Sequence, residues 1–300
     1  MRKREVRPGT WTAVLLAMAA AGGAVAAPQG GAVDPGPPAV DPSTGSAPPL
    51  VTPRSGYHYQ SEEIRALQDD DFANPGMLWV DQGAALWREA GPAGEPACAQ
   101  CHGTPDTLRG VAVRYPRYDP GTGGLLNLEA RINRCRTQQQ RLPALAYESE
   151  SLLALTALVA HQSRGLPIDV SIDGPARPFF EQGREYFYTR RGQMNLACHH
   201  CHEVNAGRYL RGDRLSQGQP TGYPIYRLDW QTLGSLQRRL RFCNTGVRAE
   251  PFDFGSPVYL SLELFLAWRA RGLVSDAPAV RRRSCSPAPG RWTRPSIPPA

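Results

Sequence analysis

The chain has 300 residues, with 34 basic and 27 acidic side chains, a formal net charge of +7 and a pI of about 9.2. Four bases and one acid stand in the first 26 residues and five arginines in the last 24, which leaves −1 for everything between. The basic balance therefore belongs to the two ends, and a basic nucleic-acid groove is excluded.

At the N-terminus Arg2, Lys3 and Arg4 precede an apolar run from Trp11 to Ala20, then Gly22-Gly23 and Ala24-Val25-Ala26. This is the pattern of a cleaved secretory signal over residues 1–26. The run is alanine-rich and falls short of the ~20 strongly apolar residues that a membrane span needs, so no stable membrane insertion is expected after cleavage. Residues 27–55 are dense in Pro, Gly, Ala and Ser and are expected to form a disordered linker.

A first domain is expected over 56–170. Gln82-Gly83 and Trp87 belong to a helix that leads to Cys98-Ala99-Gln100-Cys101-His102. Cys-x-x-Cys-His is the attachment motif of haem c: the two sulfurs add across the haem vinyl groups, and the adjacent histidine is held under the iron. Val111 to Tyr115 reads as extended. A short helix then ends at Cys135. In a last helix Leu152, Leu155 and Val159 share one face, and Gly165 follows where a C-terminal cap belongs.

A second domain, expected over 171–275, repeats this order. Gln182-Gly183 and Phe187 lead to Cys198-His199-His200-Cys201-His202, every equivalent position displaced by 100 residues. Arg239 to Cys243 matches Arg131 to Cys135 at a shift of 108, and Ala267 to Leu273 matches Ala160 to Leu166 at 107. Three landmarks in order make an internal repeat. The expected fold is mainly α, two tandem cytochrome c-like domains carrying two covalent haem c groups, in an exported and therefore periplasmic protein. Residues 276–300 are expected to be a disordered, proline-rich tail in which Arg281, Arg282 and Arg283 form a solvated charge patch and Cys285 is the odd cysteine.

His102 and His202 are the proximal iron ligands, and elimination narrows the distal ones. The only lysine is Lys3; beyond residue 26 the only methionines are Met77 and Met194, each before the haem motif of its own domain. No histidine or methionine follows His202, which leaves Cys243 in the second domain, with Cys285 further out in the tail. The first domain offers Cys135 or His161. The repeat aligns His161 with Trp268 and Cys135 with Cys243, so Cys135 is expected. Burial as small apolar residues, or a disulfide, is the competing reading of these cysteines. A thiolate would lower the haem potential relative to methionine, which suits a task other than simple electron shuttling.

With Asn74 to Trp79, both haem motifs, Arg239-x-x-x-Cys243-Asn244 and Leu262 to Gly272 in place, the chain resembles the SoxA family of dihaem cytochromes c. The resemblance implies an L-cysteine S-thiosulfotransferase of sulfur oxidation, which joins thiosulfate oxidatively to a cysteine of the SoxY carrier in a SoxYZ complex. It implies a SoxX cytochrome subunit as partner, a downstream cytochrome c acceptor, and Cys243 carrying an extra sulfur as a persulfide. Arg239 matches a substrate-binding arginine of the family, and Arg269, with Arg271 close by, a further arginine of the site. Arginine suits the thiosulfate dianion because its planar fork of donors matches oxyanions. Two alternatives stand beside this reading: a dihaem thiosulfate dehydrogenase that forms tetrathionate, and a plain periplasmic electron carrier with no substrate site.

Overall fold

The computed structural model describes residues 52–210 and 212–282. The expected signal, most of the linker, Arg283 and Cys285 lie outside the described residues. Helices carry the architecture: α1 (Glu62–Asp69), α2 (Met77–Arg88), α3 (Cys98–His102), α4 (Leu128–Gln138), α5 (Glu150–His161), α6 (Arg177–Tyr188), α7 (Leu236–Gly246) and α8 (Pro257–Arg269). Seven short strands complete it: β1 (Arg117–Asp119), β2 (Gly124–Leu126), β3 (Tyr209–Leu210), β4 (Asp213–Arg214), β5 (Ile225–Arg227), β6 (Thr232–Gly234) and β7 (Ala279–Arg281). Among the described residues no helix is long and apolar enough to cross a membrane.

A helix, a hairpin and two further helices occur in turn as α2, β1–β2, α4, α5 and as α6, β5–β6, α7, α8, and local chemistry explains where the later helices of each series start. The Asn127 and Ser235 side chains accept from the backbone N–H three residues on, at the heads of α4 and α7, and Ser149 and Ser256 do so at the heads of α5 and α8. Each satisfies an N–H that a helix start would leave unpaired. Gly165 and Gly272, with φ of 81° and 82°, end the two last helices in the left-handed region that glycine adopts without strain.

Helices cross where glycine removes the side chain. In α2 a Cβ at Gly83 would lie 2.3 Å from the Ala154 carbonyl oxygen of α5; in α6 a Cβ at Gly183 would lie 2.0 Å from that of Ser261 in α8. These contacts let Val80 and Trp87 pack on Leu153 and Leu158, and Phe180 and Phe187 pack on Leu262 and Phe265. Gly183→Ala is expected to force α6 and α8 apart and cost about 3 kcal/mol, seen as a clear fall in melting temperature. An unchanged melting curve would show that the crossing is not tight.

The two halves do not separate at residue 170. Hairpin β1–β2 follows the first haem motif, yet its Leu125 is buried among Phe180, Phe187 and Phe265 of the second half. Hairpin β5–β6 follows the second motif, and its fully buried Leu233 packs with Val80, Trp87 and Leu158 of the first. Each half lends its hairpin to the core of the other. Val111 to Tyr115, expected to be extended, instead contains a single 3₁₀ turn, Ala112–Arg114. The buried Ser163 hydroxyl accepts from the N–H groups of Gly110 and Ala112 and holds the chain there without a strand partner.

The segments after α5 and α8 meet in a reciprocal seam. Gly165 N donates to Ser275 O, and its repeat-related counterpart Gly272 N donates to Ile168 O; Ile168 N to Leu273 O and Ser275 N to Leu166 O complete the set, at 2.8–3.0 Å. Beside the seam lies a cavity of about 90 Å³, lined by repeat-related pairs such as Tyr115 and Tyr223, or Thr156 and Glu263. Burial pushes the Glu129 carboxyl up to about 7, and burial together with Glu129 raises Glu263. Enclosure and a like charge nearby both disfavour the ionised carboxylate, which is why the two shifts share a direction.

Residues 276–282, expected to belong to a disordered tail, are ordered. Strand β7 pairs in parallel with β5, Ala279 and Val280 are fully buried, and Arg281 is enclosed rather than solvated. Its guanidinium donates to Gln68 Oε1 at 2.7 Å and pairs with Asp276 at 3.6 Å, which offsets the desolvation of the charge. The linker also ends earlier than expected, because Thr52 and Arg54 exchange hydrogen bonds with the Gln217 side chain.

Candidate functional site

The second haem motif begins two turns of chain after α6 and places Cys198, Cys201 and His202 next to Cys243 of α7. Cys243 is the leading charged neighbour of both Cys198 and Cys201 and hydrogen-bonds His202. The Ser235 cap sets the start of α7, and two helical turns further on the cysteine faces the motif. His202 Nδ1 lies 2.8 Å from the Ser216 carbonyl oxygen. A carbonyl only accepts, so Nδ1 carries the hydrogen and Nε2 presents its lone pair. Two thiols for the vinyl groups, an oriented imidazole and a facing sulfur fit haem c. All six described cysteines are free, so no disulfide joins Cys135 or Cys243 to another described cysteine.

The first motif is built on the same plan but more openly. Cys135 of α4 is a charged neighbour of Cys98, whose thiol is raised chiefly by burial. Gln140 anchors the motif, donating to the Pro96 carbonyl at 2.7 Å and to Cys98 Sγ at 3.8 Å. Trp87 Nε1 donates to Gly103 O at 2.8 Å, and its ring lies 5.6 Å from that of His102, which is exposed, as is Cys101. His161, the alternative ligand, closes α5 among Arg164, Asp71 and Asp81, and burial lowers its pKa.

Electrostatics distinguish the second site. Burial alone would raise the Cys243 thiol, but Arg239, then the His202 contact and Arg227, outweigh it and bring it down to about 7. The thiolate is the reactive form, so a large fraction is available at neutral pH. Arg239 stands one helical turn before Cys243, and Cys243, Asp213 and Asp229 act on it as anionic partners that favour its charge against burial, with the neutral Tyr223 phenol beside them. Sequence reasoning missed Arg227 and Tyr223. The available signal was the repeat itself, which sets Arg227 of β5 against Asp119 of β1, reversing the sign of the charge at one position.

Arg269 is engaged elsewhere than at Cys243. Its guanidinium donates to Gln217 O at 3.0 Å and to Glu203 at 3.1 Å, and lies 4.5 Å over the Phe187 ring. Gln217 adjoins the carbonyl that holds His202, and Glu203 adjoins His202 itself, so Arg269 braces the chain on both sides of His202. Arg271 stacks on Trp268 at 5.0 Å.

Comparison with known proteins places this geometry. A family model described as SoxA/TsdA, cytochrome c domain, matches residues 82–168. The L-cysteine S-thiosulfotransferase subunit SoxA of Rhodovulum sulfidophilum is 43% identical over 230 residues, 76% of this chain and 80% of that protein. The subunit of the same name from Paracoccus pantotrophus is 40% identical over 283 residues, 91% of this chain and 97% of its own length. The crystal structure of SoxXA from P. pantotrophus superposes with a TM-score of 0.74 at 40% identity, covering 76% of this chain and 87% of that one.

Proposed function

The chain belongs to the SoxA family of L-cysteine S-thiosulfotransferase subunits, and on that premise we propose that it joins thiosulfate oxidatively to the cysteine thiol of a SoxY carrier protein. The observation that carries this reading is the convergence of Cys198, Cys201, His202, Cys243 and Arg239 at one point. The family membership makes it a cytochrome c enzyme subunit; the repeated motif adds that there are two haem c groups in a duplicated cytochrome c fold. The protein is exported to the periplasm, pairs with a SoxX cytochrome and passes electrons to a downstream cytochrome c.

Each residue has a definite task. Arg239 holds an oxyanion of thiosulfate through charge-assisted bonds, with Arg227 adding positive potential. Cys243 supplies the sulfur at which substrate is engaged and carries the extra sulfur of a persulfide. His202, fixed by Ser216 and braced through Arg269, keeps the opposite side of the site in register. Bound haem supplies a one-electron acceptor beside the sulfur. Overall the carrier thiol and thiosulfate form one S–S bond and release one proton and two electrons.

The test uses the enzyme with its SoxX partner, a SoxYZ carrier, thiosulfate and oxidised cytochrome c. The expected result is a mass gain of one thiosulfate on the carrier, with two cytochrome c reduced per thiosulfate bound. Tetrathionate with an unmodified carrier would replace this reading by the dehydrogenase; no thiosulfate consumption would leave an electron carrier.

A further inference from the structure

The contacts around His202 close into a ring. Its Nδ1–H donates to Ser216 O at 2.8 Å, and the next residue, Gln217, offers its carbonyl to Arg269 at 3.0 Å. With its other terminal nitrogen Arg269 donates to Glu203 Oε1 at 3.1 Å, and Glu203 follows His202 directly in the chain. Tyr188, the last residue of α6, donates its hydroxyl to the same carboxylate oxygen at 3.1 Å. One carboxylate thus ties α6 and α8 to the segment that carries His202. The Arg269–Glu203 pair is partly buried, 13% and 28% exposed, so it is screened less than a surface pair.

The first half has no such ring. At the shift of 100, Gly103 stands where the second half has Glu203, and Arg88 where it has Tyr188; at 107, Gln162 stands where it has Arg269. Glycine has no side chain to close the ring, and Gln162 donates back to Leu158 O of its own helix at 3.3 Å. Both halves carry the same Cys-x-x-Cys-His motif, so haem attachment does not account for the added residues.

We propose that Glu203 is a positioning residue of the thiosulfotransferase reaction: through Arg269 and Gln217 it fixes the Ser216 carbonyl on His202 and so sets the donor strength of that imidazole, at the second haem alone. This role rests on the reading of the second site as the place of chemistry. A carbonyl that accepts from Nδ1–H orients the ring and makes Nε2 the stronger donor, which favours ferric iron and lowers the potential. Glu203 acts through the backbone on either side of His202 and not on substrate. Gly103 leaves His102 without that restraint, which gives two haems on one motif different potentials.

The test compares wild type, Glu203→Ala and Glu203→Gln, each as the complete enzyme with its partner subunit, by potentiometric titration, visible spectrum and steady-state kinetics. Cys243→Met, which exchanges thiolate for thioether, identifies the wave of the haem at His202. Glu203→Ala is expected to favour reduction of that haem at least threefold, about 30 mV for one electron, with the other waves in place. It is also expected to lower kcat about fivefold while KM for thiosulfate stays within about twofold. Glu203→Gln removes the charge but keeps an oxygen that accepts from Arg269 and Tyr188, so it is expected to restore most of both changes. An unchanged potential in Glu203→Ala would overturn the assignment. Equal shifts in the two variants would also overturn it, because they would mark an effect of charge alone. The potentials are read without the carrier, so a wild-type enzyme that transfers nothing to the carrier would instead overturn the functional reading beneath.

Discussion

Cys243→Ala is expected to abolish thiosulfate-dependent loading of the carrier while both haems stay attached. The proposed attachment points are Cys98, Cys101, Cys198 and Cys201, none of which the substitution touches. What is removed is the sulfur facing His202, which the proposed function makes the place where a persulfide is carried. Intact-mass measurement is expected to give two haem additions in wild type and variant alike, with the extra sulfur present only in the wild-type peptide that contains Cys243. Losing one buried sulfur costs about 1–2 kcal/mol in packing, too little to unfold a protein of this size. Cys243→Met separates ligand chemistry from substrate chemistry: a thioether can face the iron and raise the potential but cannot carry the sulfur, so this variant is also expected to be inactive. Normal turnover by either variant would sink the assignment of Cys243.

Arg239→Ala is expected to lower kcat/KM for thiosulfate about 100-fold with little change in the visible spectrum. The estimate follows from the 2–5 kcal/mol typical of deleting one member of a desolvated charge pair. Cys243, Asp213 and Asp229 act on Arg239 as negative neighbours, so its loss also leaves them with less compensation. A thermal melt therefore accompanies the kinetics, and Arg239→Lys supplies the control. Lysine restores the charge without the planar fork, so partial recovery is expected if the arginine binds an oxyanion. Kinetics identical to wild type would place substrate binding elsewhere.

The elements legible from the residues were those governed by local rules. Helices α5 and α8 follow from apolar spacing closed by the Ser149 and Ser256 caps and by Gly165 and Gly272. The hairpins were not legible, because strands of three residues carry no periodicity that stands above noise and their burial is decided by a distant partner. For the same reason β7 was read as tail: Ala279, Val280 and Arg281 look unremarkable until the edge of β5 accepts them and Gln68 and Asp276 enclose the arginine. Arg269 illustrates the limit at the site. Its position in the closing helix was evident, but its partners Glu203 and Gln217 lie 66 and 52 residues away, and only folding brings them to it.

The sequence by itself carried two Cys-x-x-Cys-His motifs, the regular shifts of 100 to 108 residues between matching segments, and a second half with cysteine but no histidine or methionine after His202. These are matters of residue type and short spacing, which survive in one dimension. The tertiary structure alone decided that the halves interlock through exchanged hairpins. It also decided that Arg227 and Tyr223 join Arg239 around Cys243, and that Arg269 steadies His202. Each of these depends on contacts between residues far apart in the chain, and the energy of such contacts comes from burial and charge compensation that no single segment possesses before it folds.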